Sequence, residues 1–273
     1  MTRYTKRFWI KFLILNFFML IKTSEEKKIL KEAGRRLAII LSAITQVVKP
    51  GVTTDMLDEI AERLIRNRGD IPAFKNYTPE GAEYPYPATL CVSVNNEVVH
   101  GIPSSRVLKD GDIVGLDIGL THNGLIVDMA ETVPVGKIDG NARKLIEVTR
   151  GALGEGIAAA RTGGTTGDIG NAIESYVKEF GDGYGIIREL GGHGVGKHVH
   201  EKPFIHNFGK RGEGERLKDG MVIALEPMIN EGSENVILKD DGYTFITKDG
   251  SRSAHFEHTI IVGKEGGEVI TKK

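Results

Sequence analysis

LKDGDIVGLDIGL at 108–120 and LKDGMVIALEPMI at 217–229 are two copies of one pattern. Each opens on the polar turn Leu-Lys-Asp-Gly and runs into an apolar stretch interrupted by one acid, Asp117 or Glu226. The copies lie 109 positions apart. A second echo precedes each of them: KPGVTT at 49–54 and RTGGTT at 161–166, displaced by 112 positions. Each of these follows a helical stretch and opens another. A period near 110 residues lies far above the roughly 20–50 residues of solenoid repeats. Two echoes in the same order predict one pseudo-symmetric unit, in which helix, helix and strands occur twice.

The segments between the echoes fit that plan. From Ser24, residues Leu30, Ala33, Leu37, Ile40, Ile44 and Val47 recur at threes and fours, the period of an amphipathic helix. Thr23-Ser24-Glu25-Glu26 reads as its N-cap and capping box, and Lys49-Pro50-Gly51 as its stop. A second helix from near Thr54 would bury Leu57, Ile60, Ala61, Leu64 and Ile65. A Pro- and Tyr-rich loop, 76–89, leads to the strand-like run LCVSVNNEVVHGI (90–102). HNG at 122–124 is an Asn-Gly hairpin signal between two apolar runs. The expected class is α+β, with antiparallel strands covered by helices on one face.

Composition narrows the function. The chain has 273 residues, 36 Lys+Arg against 37 Asp+Glu, a net charge of −1, and 40% hydrophobic with 27% charged residues. It is globular in composition, and it lacks the basic excess of an electrostatically driven nucleic-acid binder. A single cysteine, Cys91, excludes an internal disulfide and any Cys₄ or Cys₂His₂ zinc site. The amino terminus stands apart. FWIKFLILNFFMLI (8–21) follows Arg3, Lys6 and Arg7 and resembles a signal sequence. Its 14 residues, interrupted by Lys11 and Asn16, fall short of the roughly 20 needed to span a bilayer. No small-x-small cleavage site follows before Thr23. Residues 1–21 are therefore read as an extension, with Met19 as the initiator. One domain is expected over 22–273, with halves at about 22–135 and 136–273 and no stable membrane insertion.

The chemistry lies in acids placed where acids are costly. Asp117 sits in IVGLDIGL, apolar on both faces, and a lone buried carboxylate needs a partner. The repeat puts Glu226 at the matching point. Asp128 follows Asp117 across the 122–124 hairpin, within cross-strand reach, and Glu257 lies in the strand-like SAHFEHTIIV. Four such acids would raise one another's pKa and destabilise the fold; a cation removes the conflict. His193, in ELGGHGVGKHVHEKP, adds a nitrogen ligand, its glycines permitting close packing against the opposite half. GGHGVG lacks the Walker and Rossmann spacings and is not a phosphate loop. Four carboxylates and one imidazole suit two divalent ions drawn from Mn, Fe, Co or Zn. Such a pair generates hydroxide at neutral pH and steadies a tetrahedral intermediate. His100 and His200 lie beside Gly- or Pro-marked turns, and His198 competes with His200 by sharing a strand face with it. His122, His206, His255 and His258 are read as structural.

These motifs together resemble the type I methionine aminopeptidases of the pita-bread (creatinase/aminopeptidase-like) fold. The likeness is carried by NNEVVHGIP (95–103), LKDGDIVGLDIG (108–119), Asp128, GGHGVGKHVHEKP (191–203), ALEPM (224–228) and SAHFEHTIIV (253–262), and runs from about Met19 to Gly263. The resemblance implies that Asp117 chelates one metal and His193 the other, that Asp128 and Glu257 bridge both, and that Glu226 binds metal and handles the proton of the attacking water. It implies that His200 hydrogen-bonds the scissile carbonyl and His100 the substrate amide or amine, with Tyr86 and Cys91 in the methionine pocket. The implied reaction releases methionine from a nascent chain whose second residue is small. The implied partners are nascent N-termini, hence transient ribosome proximity, and the implied setting is a cytoplasmic monomer. Val199 stands where the family often has Phe, Tyr243 replaces a rim Trp of some members, and the 77–87 loop is longer than in familiar bacterial enzymes. The type II insertion is not visible between His200 and Glu226. Prolidase and aminopeptidase P share the fold and ligands but usually carry a large N-terminal domain, for which about 20 residues leave no room. Pita-bread binding proteins without catalysis typically lose ligands that this sequence keeps.

Overall fold

The computed structural model describes residues 18–79 and 81–273; most of the 1–21 extension lies outside them. The first half runs α1 (Ser24–Thr45), α2 (Thr54–Arg66), β1 (Ile71–Pro72), β2 (Leu90–Val94), β3 (Glu97–Val99), β4 (Ile113–His122) and β5 (Leu125–Pro134). The second runs α3 (Gly140–Ala159), α4 (Thr166–Lys178), β6 (Gly185–Ile186), β7 (Gly191–Gly194), β8 (Glu201–His206), β9 (Val222–Leu225) and β10 (Met228–Asn230). A ribbon of β11 (Val236–Leu238) and β12 (Phe245–Thr247) follows, then β13 (Ser253–His255), β14 (Glu257–Val262) and β15 (Gly267–Val269). Among the described residues the main sheet has nine strands, in the order β1-β4-β5-β14-β9-β7-β8, with β2 on β4 and β15 on β14. Every pairing in it is antiparallel.

Local chemistry sets the element ends. Thr23 caps α1, and the reciprocal bond from Glu26 completes the capping box. The helix closes at Thr45, four residues before Lys49-Pro50, because a turn at Gln46 and Val47 already ends the hydrogen-bond ladder. Ile60 and Leu64 of α2 are only partly buried, while Leu57, Ala61 and Ile65 form its inner face. The run 90–102 is not one strand: it turns at Asn95, and His100 takes φ +59°. Asn123 and Gly124, both at positive φ, form the tight turn that joins β4 to β5.

The repeat is written in hydrogen bonds. Gly51 N–H donates to Leu108 O, and Leu108 N–H to Val52 O; Gly163 N–H donates to Leu217 O, and Leu217 N–H to Gly164 O. Thr54 N–H donates to Arg106 O as Thr166 N–H donates to Glu215 O. All three pairs keep the 112 and 109 offsets of the sequence.

Alternation along the strands sorts the two faces. Val114, Leu116, Ile118 and Leu120 of β4 pack with Leu37, Ile40, Leu41 and Ile44 of α1 in one apolar cluster. Ile223 and Leu225 of β9 join Leu145, Leu153, Ile169 and Ile173 of α3 and α4 in another. The helices therefore cover one face, and Asp117 belongs to the other. Met19–Ile21 extend along Gly220–Val222: Val222 N–H donates to Met19 O and Ile21 N–H to Gly220 O.

Candidate metal centre

The free face of the sheet carries a checkerboard of acids and small residues. In one row across the strands stand Gly119, Asp128, Thr259, Ala224 and His193: Gly119 pairs with Asp128, Thr259 with Ala224, and Ala224 with His193. Thr259 joins Asp128 by its hydroxyl, which accepts from Asp128 N–H at 2.8 Å and donates to Asp128 O at 2.8 Å. In the next row Ala130 is in register with both Asp117 and Glu257. Glu226 lies just past the end of β9, before Pro227, so it is a strand-end residue rather than a mid-strand one like Asp117. Small neighbours leave the carboxylates room to converge.

Asp117, Asp128, His193, Glu226 and Glu257 all line one cleft of about 710 Å³, its open mouth included. Ligand atoms of Asp128, His193 and Glu257 lie within 4.8 Å of one another. His193 Nε2 is 3.6 Å from Glu226 Oε1 and 4.0 Å from Asp128 Oδ2. His193 Nδ1 lies 2.9 Å from Gly194 O, a carbonyl, so Nδ1 carries the proton and Nε2 keeps its lone pair for the cluster. Gly192 and Gly194 permit this packing, but against the same half: a Cβ on Gly192 would meet Ala224 O at 2.3 Å and one on Gly194 would meet Lys202 O at 2.0 Å. These glycines thus serve packing within the second half, not the expected packing against the first.

Electrostatics favour an ion here. Burial pushes the Asp117 carboxyl up to about 7. Burial, then neighbouring carboxylates, push Asp128, Glu226 and Glu257 well above the usual carboxylate range. Asp117 Oδ1 and Glu257 Oε1 are buried without a hydrogen-bond partner. Burial pushes His193 down to about 4, so it is neutral at pH 7. Orphaned oxygens, like charges in a dry site and a neutral imidazole form a donor set that a divalent cation satisfies.

Further histidines ring the cleft. His100 is held at its left-handed position with its carbonyl accepting from Thr244 Oγ1 at 3.4 Å. Burial and then His193 bring it down to about 4. His200 lies edge-on to His193, ring centroids 4.6 Å apart, and burial drives it well below its usual value. His198 does not share its face. Residues 196–200 form a bend, with His198 exposed and His200 in the cleft. Glu201 holds that bend, accepting from Lys197 N–H at 2.6 Å and His198 N–H at 2.8 Å. Tyr86, Cys91, Val199 and Tyr243 also line the cleft. Tyr86 donates to Gly101 O at 3.0 Å and meets Tyr243 edge-on at 5.1 Å.

Sequence reasoning missed four residues at this site. Phe74, Tyr77 and Pro79 line the cleft from the loop after β1; the bare Cα of Gly119 makes the space for the Phe74 ring, which an added Cβ would meet at 2.8 Å. His255 was read as structural, but its buried Nε2 has no hydrogen-bond partner and points at Glu226 Oε2 from 3.6 Å. Thr132 Oγ1 fixes its backbone, accepting from His255 N–H and donating to His255 O at 2.9 Å each. Its place two residues before Glu257 was the available signal. His122 and His258 do have structural partners, Asp70 at 2.7 Å and Thr271 at 2.9 Å.

Two repeated halves on one antiparallel sheet that together cradle carboxylates and an imidazole define a metal-dependent hydrolase of the pita-bread class. The chain belongs to metallopeptidase family M24, whose profile matches residues 28–264. It is 44% identical over 254 residues to methionine aminopeptidase 1 of Bacillus subtilis, covering 93% of this chain and 99% of that one. The structure resembles the crystal structure of methionine aminopeptidase from Rickettsia prowazekii with a TM-score of 0.88 at 39% identity, covering 93% and 100% of the two chains. The prolidase of Pyrococcus furiosus shares the fold, with a TM-score of 0.71 at 24% identity over 93% of this chain and 66% of that one. No described helix is long and apolar enough to cross a membrane.

Proposed function

We propose that this protein is a methionine aminopeptidase that hydrolyses the first peptide bond of a polypeptide, releasing methionine when the second residue is small. The observation that carries this is the buried basket of Asp117, Asp128, His193, Glu226 and Glu257 beneath His100 and His200 in one cleft. Asp117, Asp128, His193, Glu226 and Glu257 are the residues that would hold two divalent ions in this cleft. When bound, such ions acidify water and polarise a carbonyl.

The protein's own groups do the rest. Glu226 borders the cluster and takes the proton of the attacking water, then passes it to the departing amine. His200 donates to the scissile carbonyl oxygen as negative charge develops there. His100 contacts the substrate amide or amine. Tyr86 and Cys91 form part of an apolar, polarizable wall suited to a methionine side chain, with Val199 and Tyr243 beside them. Residues 22–273 act as one catalytic domain of two halves, since both supply ligands. Nascent N-termini are the substrates, which brings the protein transiently near ribosomes.

The test is a peptide panel with Mn²⁺ or Co²⁺. Met-Ala-Ser should be cleaved to free methionine, and an Xaa-Pro dipeptide should not. Cleavage of the dipeptide alone would overturn the substrate assignment, and no turnover with any divalent metal would overturn the enzyme.

A further inference from the structure

The Tyr77 hydroxyl lies 3.0 Å from His200 Nδ1, and the two rings are tilted with centroids 5.5 Å apart. Tyr77 is not on a loose strap. Its N–H donates to Phe74 O at 2.9 Å, its carbonyl accepts from Tyr86 N–H at 2.8 Å, and Asn76 N–H donates to Tyr86 O at 2.9 Å. The short ladder fixes where the phenol can reach.

A neutral imidazole carries one N–H, and its partner decides which nitrogen holds it. Two arrangements fit the 3.0 Å contact: the phenol O–H donates to Nδ1, or Nδ1–H donates to the phenol oxygen. The phenol is the more acidic donor, and an imidazole lone pair is a far more basic acceptor than a phenol oxygen. The O–H···N arrangement is therefore the stronger bond, and it leaves the His200 proton on Nε2.

We propose that Tyr77 is a positioning residue that locks His200 into its Nε2–H tautomer and fixes its ring, so that His200 serves as a hydrogen-bond donor in the cleft. The catalytic consequence, donation to the scissile carbonyl oxygen, rests on the function proposed above. The tautomer itself does not.

Two measurements separate these levels. The first is nitrogen-15 NMR of imidazole-labelled protein loaded with diamagnetic Zn²⁺, with His200 assigned from the spectrum of His200→Gln. The expected wild-type pattern is a protonated Nε2 and an unprotonated Nδ1, shifting toward a mixture in Tyr77→Phe. A wild type protonated on Nδ1, or a tautomer unchanged in Tyr77→Phe, overturns the proposal. The wild-type spectrum decides even if the variant folds poorly. The second is kinetics on Met-Ala-Ser. Tyr77→Phe should lower kcat about tenfold with KM within about twofold, because the loss is confined to the transition state. A raised KM at unchanged kcat would make Tyr77 a pocket wall only and sink the positioning role. If the wild type cleaves no peptide, the proposed function fails while the NMR result still stands or falls alone.

Discussion

The floor of the cleft and its walls are built by different means. Asp117, Asp128, His193 and Glu257 stand on paired strands, in two adjacent rows fixed by cross-strand register, and Glu226 at a strand end. Tyr77, Tyr86, His100, Val199, His200 and Tyr243 stand outside the strands, on turns and bends held by local hydrogen bonds and ring contacts. The floor draws on both halves; Thr259 ties Asp128 to β14, and Thr132 ties His255 to β5. The difference separates two jobs: floor residues should govern whether metal binds and water is activated, wall residues how well a substrate is placed.

Glu226→Gln should cut kcat on Met-Ala-Ser by about 10³-fold, within the span of general acid–base catalysis; a fully active variant would contradict the proton role. Asp128→Asn should abolish the rise in melting temperature that Mn²⁺ gives the wild type, since the buried cluster loses one carboxylate charge; an unchanged rise would place the ion elsewhere. His100→Ala, on the wall, should lower kcat/KM about 10²-fold while Mn²⁺ affinity by calorimetry stays within about twofold. A large loss of metal affinity there would erase the distinction between floor and wall.

The floor also has a pH signature in metal-stripped protein. Asp117, raised to about 7, holds a proton in the folded state that the unfolded chain has released, so its contribution is lost as pH rises from about 4 through 7, and Asp128, Glu226 and Glu257, raised well above the usual range by burial, act in the same sense. His100 and His193, lowered to about 4, act in the opposite sense between about 4 and 6.5, where the unfolded chain binds the extra protons. Above about 6.5 the histidines are neutral in both states and only the carboxyls remain. The metal-free melting temperature should therefore fall between pH 6.5 and 8, and Mn²⁺ should remove the fall; a flat metal-free profile would refute the raised values. The smallest effect belongs to the outer wall. Tyr243→Phe removes a hydroxyl that donates to Tyr84 O and should raise KM by about two- to threefold, the size of a modest hydrogen bond.

Floor and wall also differ in how far they can be read from sequence. An acid inside IVGLDIGL is conspicuous because burial makes it costly, and the 109-residue echo pointed from Asp117 to Glu226. The hairpin at 122–124 put Asp128 beside Asp117, and register placed it on the diagonal, opposite Gly119. The wall carries no such penalty and no period. His198 and His200 were indistinguishable because alternation assumes a strand, whereas 196–200 bends under Glu201. Tyr77 and Phe74 reach the cleft only through loop closure, and no local pattern encodes that. His255 is hidden because the strand is interrupted at Phe256, between β13 and β14, so its kinship with Glu257 looks accidental.

Ala130 stands in register with Asp117 on one side and Glu257 on the other. β5 is the last strand of the first half, so at that point the boundary with the second half runs between Ala130 and Glu257. A one-residue slip of β5 would turn Ala130 away and bring Met129 or Glu131 into the gap, flipping every second side chain with it. Neither half can drift in alignment without dragging the other's chemistry along, so the two inherit a common alignment as if they were a single part.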